Sequence, residues 1–254
     1  LHRVDRRQRQ MCIRDSYTFN QNGDIMKKAL MILFSGFLLI AVCINISYKI
    51  NDVMVKTVGI NNVKTKKTVI IDPGHGGIDV GTVGIDGSLE KNINLSISLD
   101  LYDYLMVSGI NTVLTRDGDY EVYKAGEKRT KSDLYNRMDF INSVPDSILI
   151  SIHQNHFENE AEWGTQVWFS PNDEISPTLA DKILRSVKKN IQPENKRENK
   201  VSDNSYYILY KAQKPSVMVE CGFVSNKNEN NKLQDKEYQK DMAYSILAGI
   251  CEDV

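Results

Sequence analysis

The chain has 254 residues, 41% of them hydrophobic, with 32 basic and 33 acidic side chains for a formal net charge of −1. That composition excludes a low-complexity or wholly disordered chain. From Lys66 to Val254 there are 22 basic and 29 acidic side chains, a net of −7, which leaves +6 for the first 65 residues and argues against nucleic acid as the domain's main partner.

Residues 1–25 hold no periodic pattern. Their segment Arg6 to Ser16, RRQRQMCIRDS, resembles a translated sequencing-library adapter. They are expected to be a non-native leader, with the natural start at Met26. Lys27 and Lys28 then precede an apolar run, Ala29 to Ile46, broken only by Ser35, Gly36 and Asn45. A positive flank before an apolar run about 18 residues long reads as a signal sequence or membrane anchor over 26–46, with the rest of the chain exported. No A-x-A cleavage site follows the run, which favours an uncleaved anchor. Residues 47–66 are a polar linker, and the remaining chain, about 67–254, is long enough for one domain with a substantial core.

Within that domain strands and helices alternate. Thr68 to Ile71 reads as a strand. Glu90 to Val107 reads as a helix with Ile93, Ile97, Leu101 and Leu105 on one face, stopped by Ser108-Gly109. Asn111 to Thr115 is a second strand. Ser132 to Ser143 is a helix with Leu134, Met138 and Ile141 inward. Strands follow over Ile148 to Ile152 and Thr165 to Phe169. Ser176-Pro177 opens a helix striped by Leu179, Ile183, Val187 and Ile191. Pro193 to Asn204 reads as a charged loop, Tyr206 to Leu209 and Val217 to Val219 as the last strands. The final helix carries Tyr238, Met242, Ile246 and Ile250. This order predicts a single α/β domain with a twisted, largely parallel sheet of about six strands flanked by helices.

In such a sheet, ligands bind outside the carboxyl ends of the strands. His75, in Asp72-Pro73-Gly74-His75-Gly76-Gly77, follows the first strand. His153 ends Leu149-Ile150-Ser151-Ile152-His153, and Glu220 ends Val217-Met218-Val219-Glu220. Glu90 opens the helix after the His75 loop. Two imidazoles and a carboxylate around an open position suit a catalytic zinc ion, and the remaining carboxylate suits a general base. Each residue also has a plainer reading. A glutamate in a first helical turn complements the helix dipole. Glu220 could be neutralised by Arg137, although Arg137 could equally pair with Asp133 one turn earlier. Asp72 is placed to orient the His75 ring, and Asn155 to hold the His153 ring or the substrate. His156 reads as an exposed loop residue. Cys221, beside Glu220, must be considered as a nucleophile, but no histidine near it in sequence supports that role.

His75 in DPGHGG, Glu90 in LEKN, His153 in SIHQN and Glu220 in VECGF resemble, in this order, the zinc N-acetylmuramoyl-L-alanine amidases, the family called amidase 3. The resemblance spans about Lys66 to Val254. It implies a phosphorylase/hydrolase-like fold, with His75, Glu90 and His153 as Zn2+ ligands and Glu220 as the catalytic acid/base. It implies peptidoglycan as the partner, cut at the amide between the muramic acid lactyl group and L-alanine. LYNRMDFIN and KPSVMVECGF look most like the spore-cortex amidases. Two other functions remain open at this point: a non-catalytic peptidoglycan-binding module and a zinc peptidase acting on stem peptides. An activating protein partner is also left open.

Overall fold

The computed structural model describes residues 27–28, 30–45, 67–122 and 133–252. The expected leader and linker, and the Ser132 end of the second helix, lie outside these residues. The chain divides into two compact units, Leu1–Thr57 and Val58–Val254.

In the first unit residues 30–45 form a helix, α1. Its two polar side chains turn back onto its own backbone. Ser35 Oγ donates to the Ile32 carbonyl at 2.8 Å and Asn45 Nδ2 to the Ala41 carbonyl at 2.9 Å. Leu30, Leu33, Phe34, Phe37 and Leu39 are exposed, so the helix presents apolar side chains all round. Among the described residues no helix is long and apolar enough to cross a membrane.

The second unit runs β1 (Thr68–Pro73), α2 (Glu90–Val107), β2 (Thr112–Leu114), α3 (Asp133–Ser143), β3 (Ser147–Asn155), β4 (Gln166–Phe169), α4 (Ser176–Asn190), β5 (Lys200–Val201), α5 (Tyr207–Lys211), β6 (Ser216–Phe223), α6 (Lys227–Gln234) and α7 (Lys236–Cys251). The six strands form one sheet in the order β2-β1-β3-β6-β4-β5. Neighbours from β2 to β6 are parallel, β4 is antiparallel to β6, and β5 is parallel to β4. The expected largely parallel α/β architecture is what the chain adopts.

The sheet separates two apolar layers. Ile71, Ile150, Ile152, Val217 and Val219 meet Ile97 and Leu101 of α2, Ile183 of α4 and Ile246 of α7 on one side. Ile70 and Leu149 meet Met138 and Ile141 of α3 and Ile208 of α5 on the other. Each such side chain, fully buried, contributes roughly 1.5–3 kcal/mol. Helix α2 ends as its sequence predicts. Gly109 has φ 76°, its N–H bonds Met106 O at 3.0 Å, and Ile110 N–H bonds Leu105 O at 3.0 Å, a Schellman closure.

Three local expectations are corrected. The strand expected over Tyr206–Leu209 is helix α5, with Tyr210 N–H bonding Tyr206 O at 2.9 Å. A four-residue apolar run does not by itself separate strand from helix. The sixth strand is β5, inside the stretch expected as a charged loop, because Ser202 N–H bonds Phe169 O on the sheet edge. Leu134 faces solvent; the buried face of α3 is Asn136, Arg137, Met138 and Ile141.

Candidate metal centre

Parallel strands β1, β3 and β6 end together, and their loops carry the chemistry. The chain leaves β1 through Gly74 into His75, a non-glycine residue at φ 62°. A left-handed conformation is costly for a side-chain-bearing residue and persists only when its surroundings impose it. Here the turn closes on itself: Gly76 N–H bonds Asp79 O at 2.9 Å and Asp79 N–H bonds Gly76 O at 3.1 Å. Two buried guanidinium groups hold the same backbone. Arg116 Nε donates to Pro73 O at 2.9 Å, and its Nη2 to Gly74 O at 3.0 Å and to Lys91 O at 2.9 Å. Arg137 Nη1 donates to Pro73 O at 2.6 Å, and its Nη2 donates to His75 O. Arg116 thereby braces the His75 loop against the first turn of α2, where Glu90 sits.

Glu90 is only 3% exposed, so it is more than a surface complement to the helix dipole. Its Oε2 accepts from Thr82 N–H at 2.8 Å and its Oε1 from Gln154 N–H at 3.0 Å and Asn94 Nδ2 at 3.3 Å. Its oxygens also face both histidines: Oε2 lies 3.3 Å from His75 Nε2 and Oε1 lies 3.1 Å from His153 Nδ1. One ligand atom from each of His75, Glu90 and His153 lies within 4.8 Å of the others. Among the described residues this is the group of His, Cys, Asp or Glu side chains able to hold a metal ion.

The glycines keep that space open. A Cβ on Gly74 would lie 2.3 Å from His153 Cε1 and Nε2. A Cβ on Gly81 would lie 2.6 Å from Glu90 Oε2 and 2.7 Å from His75 Cδ2. The donor set, the cleared space and the fixed rings all fit a divalent ion of zinc's type. His75 Nδ1 is engaged by Asp79 Oδ2 at 2.8 Å, which turns Nε2 toward the centre. Burial would lower the His75 pKa, but hydrogen bonds and charge from Glu90 and Asp79 outweigh it and raise it to about 9. Burial would raise Glu90, but His153 and His75 hold it well below the usual carboxylate range.

Glu220 lies directly across from His153 in the β3–β6 register. It is buried, and its Oε2 has no hydrogen-bond partner among the described residues. Burial pushes its pKa up to about 7; His153 and His75 pull down while Glu90 pushes up. A buried carboxylate oxygen without a partner is expensive, and here it stands beside a three-donor cluster.

The salt-bridge reading of Glu220 fails. Arg137 pairs with Asp133 at 2.6 Å and with Asp72 at 3.0 Å. The expectation that Asp72 orients the His75 ring is also corrected. Its carboxylate takes Thr115 Oγ1 at 2.6 Å, Ser151 Oγ at 2.8 Å and Arg137, while the ring belongs to Asp79. Asn155 ends β3, and its side-chain oxygen accepts from His156 N–H at 2.8 Å rather than from the His153 ring. His156 is exposed. Cys221 is buried, and burial pushes its thiol far above the range of a reactive thiolate. The sequence reading missed Asp79, Arg116, Gly81 and Gln154. Only Gly81 carries a signal of its own, a glycine in a turn.

A largely parallel sheet with two imidazoles, a carboxylate and a second unpaired carboxylate at the carboxyl ends of its parallel strands defines a metal-dependent hydrolase domain. Comparison with known proteins makes the class particular. The sequence profile described as N-acetylmuramoyl-L-alanine amidase matches residues 69–252. The germination-specific N-acetylmuramoyl-L-alanine amidase of Bacillus subtilis is 31% identical over 192 residues, covering 72% of this chain and 78% of that protein. The N-acetylmuramoyl-L-alanine amidase AmiA of Escherichia coli is 26% identical over 227 residues, covering 73% of this chain and 75% of that protein. Among solved structures, the CwlD amidase from Clostridioides difficile, in complex with the GerS lipoprotein, superposes with a TM-score of 0.68 at 37% identity, covering 72% of this chain and 96% of that one. The chain belongs to the N-acetylmuramoyl-L-alanine amidase family.

Proposed function

We propose that the chain is a zinc-dependent amidase that cleaves the bond between the lactyl group of N-acetylmuramic acid and L-alanine in peptidoglycan, with Glu220 as the proton carrier. The observation that carries this reading is the buried, unpartnered Glu220 Oε2 across from His153. His75, Glu90 and His153 would hold the ion. When bound, zinc polarises a carbonyl and lowers the pKa of water toward neutrality. Glu220 accepts the proton of the attacking water as the C–O bond forms. It then delivers that proton to the L-alanine nitrogen as the C–N bond breaks, since an unprotonated peptide amine leaves poorly. Burial holds the Glu220 carboxyl above the ordinary carboxylate range, the direction that lets it keep a proton between the two transfers. Asp79 and the Arg116–Arg137 brace keep the rings and the loop in place while this happens.

The enzyme acts outside the cytoplasmic membrane in this reading. The Lys27-Lys28 flank and the apolar surface of α1 support export or anchoring by the N-terminal segment. Similarity to the germination-specific amidase and to the amidase bound by a lipoprotein supports a role in spore peptidoglycan and a protein partner.

Chelation followed by zinc restoration tests the reading. Full-length protein stripped of metal releases nothing from purified sacculi. Adding one equivalent of zinc restores release, and mass spectrometry finds new L-alanine amino termini. Termini further along the stem peptide would identify a peptidase, and binding without new termini a binding module.

A further inference from the structure

An open-sided cavity of about 570 Å3 lies at the same end of the sheet as the metal centre, lined by Ala161, Glu162, Trp163, Glu194, Lys196 and Arg197. Its position follows from register. Strand β4 is antiparallel to β6 with Gln166 opposite Glu220. Trp163, three residues before Gln166, therefore lies level with Phe223 at the carboxyl end of β6, roughly 10 Å along the strand direction from Glu220. Thr165 Oγ1 donates to Cys221 O at 2.7 Å, which ties this approach to the strand carrying Glu220.

The wall is rigidly built. Arg197 pairs with Glu162, donates from Nε to Trp163 O at 2.7 Å, and stacks 4.4 Å over the Phe223 ring. Gly164 N–H and Phe223 N–H share Glu229 Oε2 at 2.9 Å each. Asn195 bonds Thr165 O at 3.0 Å and accepts from Arg197 N–H at 2.9 Å. Yet Trp163 is 42% exposed, on backbone that all these bonds hold still. Core packing does not explain a large aromatic presented to solvent from a braced loop. The exposed Glu194 and Lys196 give the cavity acceptors and a donor beside that indole.

We propose that this cavity is a subsite for a sugar ring of the glycan strand next to the muramic acid being processed. The inference rests on the amidase reading and deepens it. One face of a pyranose presents only C–H groups, which are apolar and slightly positive, complementary to the electron-rich face of an indole. The ring's hydroxyls need donors and acceptors at the rim, which Glu162, Glu194 and Lys196 provide. A pre-organised platform binds such a ring without paying to order a loop.

The chain has two tryptophans, which makes the test direct. In full-length Trp168→Phe protein, the emission of Trp163 is followed while peptide-free glycan strands are added. The same preparation is assayed for amide hydrolysis. The subsite predicts saturable quenching or a blue shift with glycan and none with free stem peptide. It further predicts that Trp163→Ala raises KM on sacculi about tenfold at nearly unchanged kcat and unchanged zinc content, while Trp163→Phe retains most of the binding. No emission change with glycan in a preparation that hydrolyses the amide overturns the subsite and leaves the amidase reading intact. A shift with stem peptide alone overturns it in favour of a peptide site. Glycan binding in a preparation without hydrolysis supports the subsite while counting against the amidase reading.

Discussion

Replacing Gly74 with alanine places a methyl carbon 2.3 Å from His153 Cε1 and Nε2 and 2.7 Å from Cδ2. Ordinary contact begins at 3.4 Å, so the ring or the loop must retreat by about 1.1 Å, the difference between 3.4 and 2.3. Gly74 does not occupy left-handed backbone space, so alanine adds no φ strain there. The whole effect falls on the imidazole. Metal–ligand distances tolerate about 0.2 Å, several times less than this displacement. Zinc affinity is therefore expected to fall by at least ~10- to 100-fold, and turnover by about 10²-fold even at saturating zinc, the cost of a 1 Å misplacement. Competition against a chromophoric chelator measures the first and release from sacculi the second. Gly109→Ala is the control. It sits at φ 76° with nothing within 4 Å of its Cβ, so it is expected to cost about 1 kcal/mol of stability and leave zinc affinity unchanged. If Gly74→Ala binds zinc as tightly as the native chain, the argument that this glycine makes room for a metal-ligating ring is refuted.

Other outcomes follow from the same geometry. His75→Ala and His153→Ala should each lose zinc on dialysis, read by elemental analysis, because two protein ligands rarely hold a catalytic zinc ion. Asp79→Asn should weaken zinc binding ~10- to 100-fold, since Asp79 is the partner that fixes the His75 ring. Asp72→Asn should destabilise the metal-free protein by about 3 kcal/mol at pH 7 in urea titrations, because it leaves the buried Arg137 with Asp133 as its one paired carboxylate. Burial would raise the Asp72 pKa, but Arg137, Thr115 and Ser151 lower it below its ordinary 3.8. Its contribution is thus present above pH 3.8 and lost as pH falls through the lower folded value, so the gap between native and Asp72→Asn stabilities should close on strong acidification.

What the sequence made legible was what repeats along it. Strands β1, β3 and β6 are short apolar runs, and α2 and α7 carry apolar side chains at helical spacing, so burial selects them almost alone. The metal ligands stand at the ends of such runs or at a helix start, where an α/β sheet brings them together. What escaped was set by contacts between distant segments. Asp79 holds His75 four residues away, and nothing in a turn aspartate marks it as a ring partner. Arg116 gathers the carbonyls of Pro73, Gly74 and Lys91 from two separate segments of the chain, a role visible only after folding. Asp72, the first residue of DPGHGG, stands close enough in sequence to suggest the His75 ring as its partner, but the parallel strand directs it toward Thr115, Ser151 and Arg137. Helix α5 and strand β5 exchanged their expected places because Tyr206–Leu209 is too short for periodicity to decide, while Lys200 and Val201 pair on the edge without being apolar on both faces.

The central claim is that Glu220 moves the proton beside a metal held by His75, Glu90 and His153, and Glu220→Gln tests it most directly. Glutamine keeps the size of the side chain and cannot carry the proton. Native and variant proteins are compared for zinc content and for release of L-alanine amino termini from purified sacculi. The structure predicts equal zinc in both and at least ~10²-fold slower release by the variant, the scale of general acid–base catalysis. Equal release by Glu220→Gln, with zinc bound in both, would contradict the account.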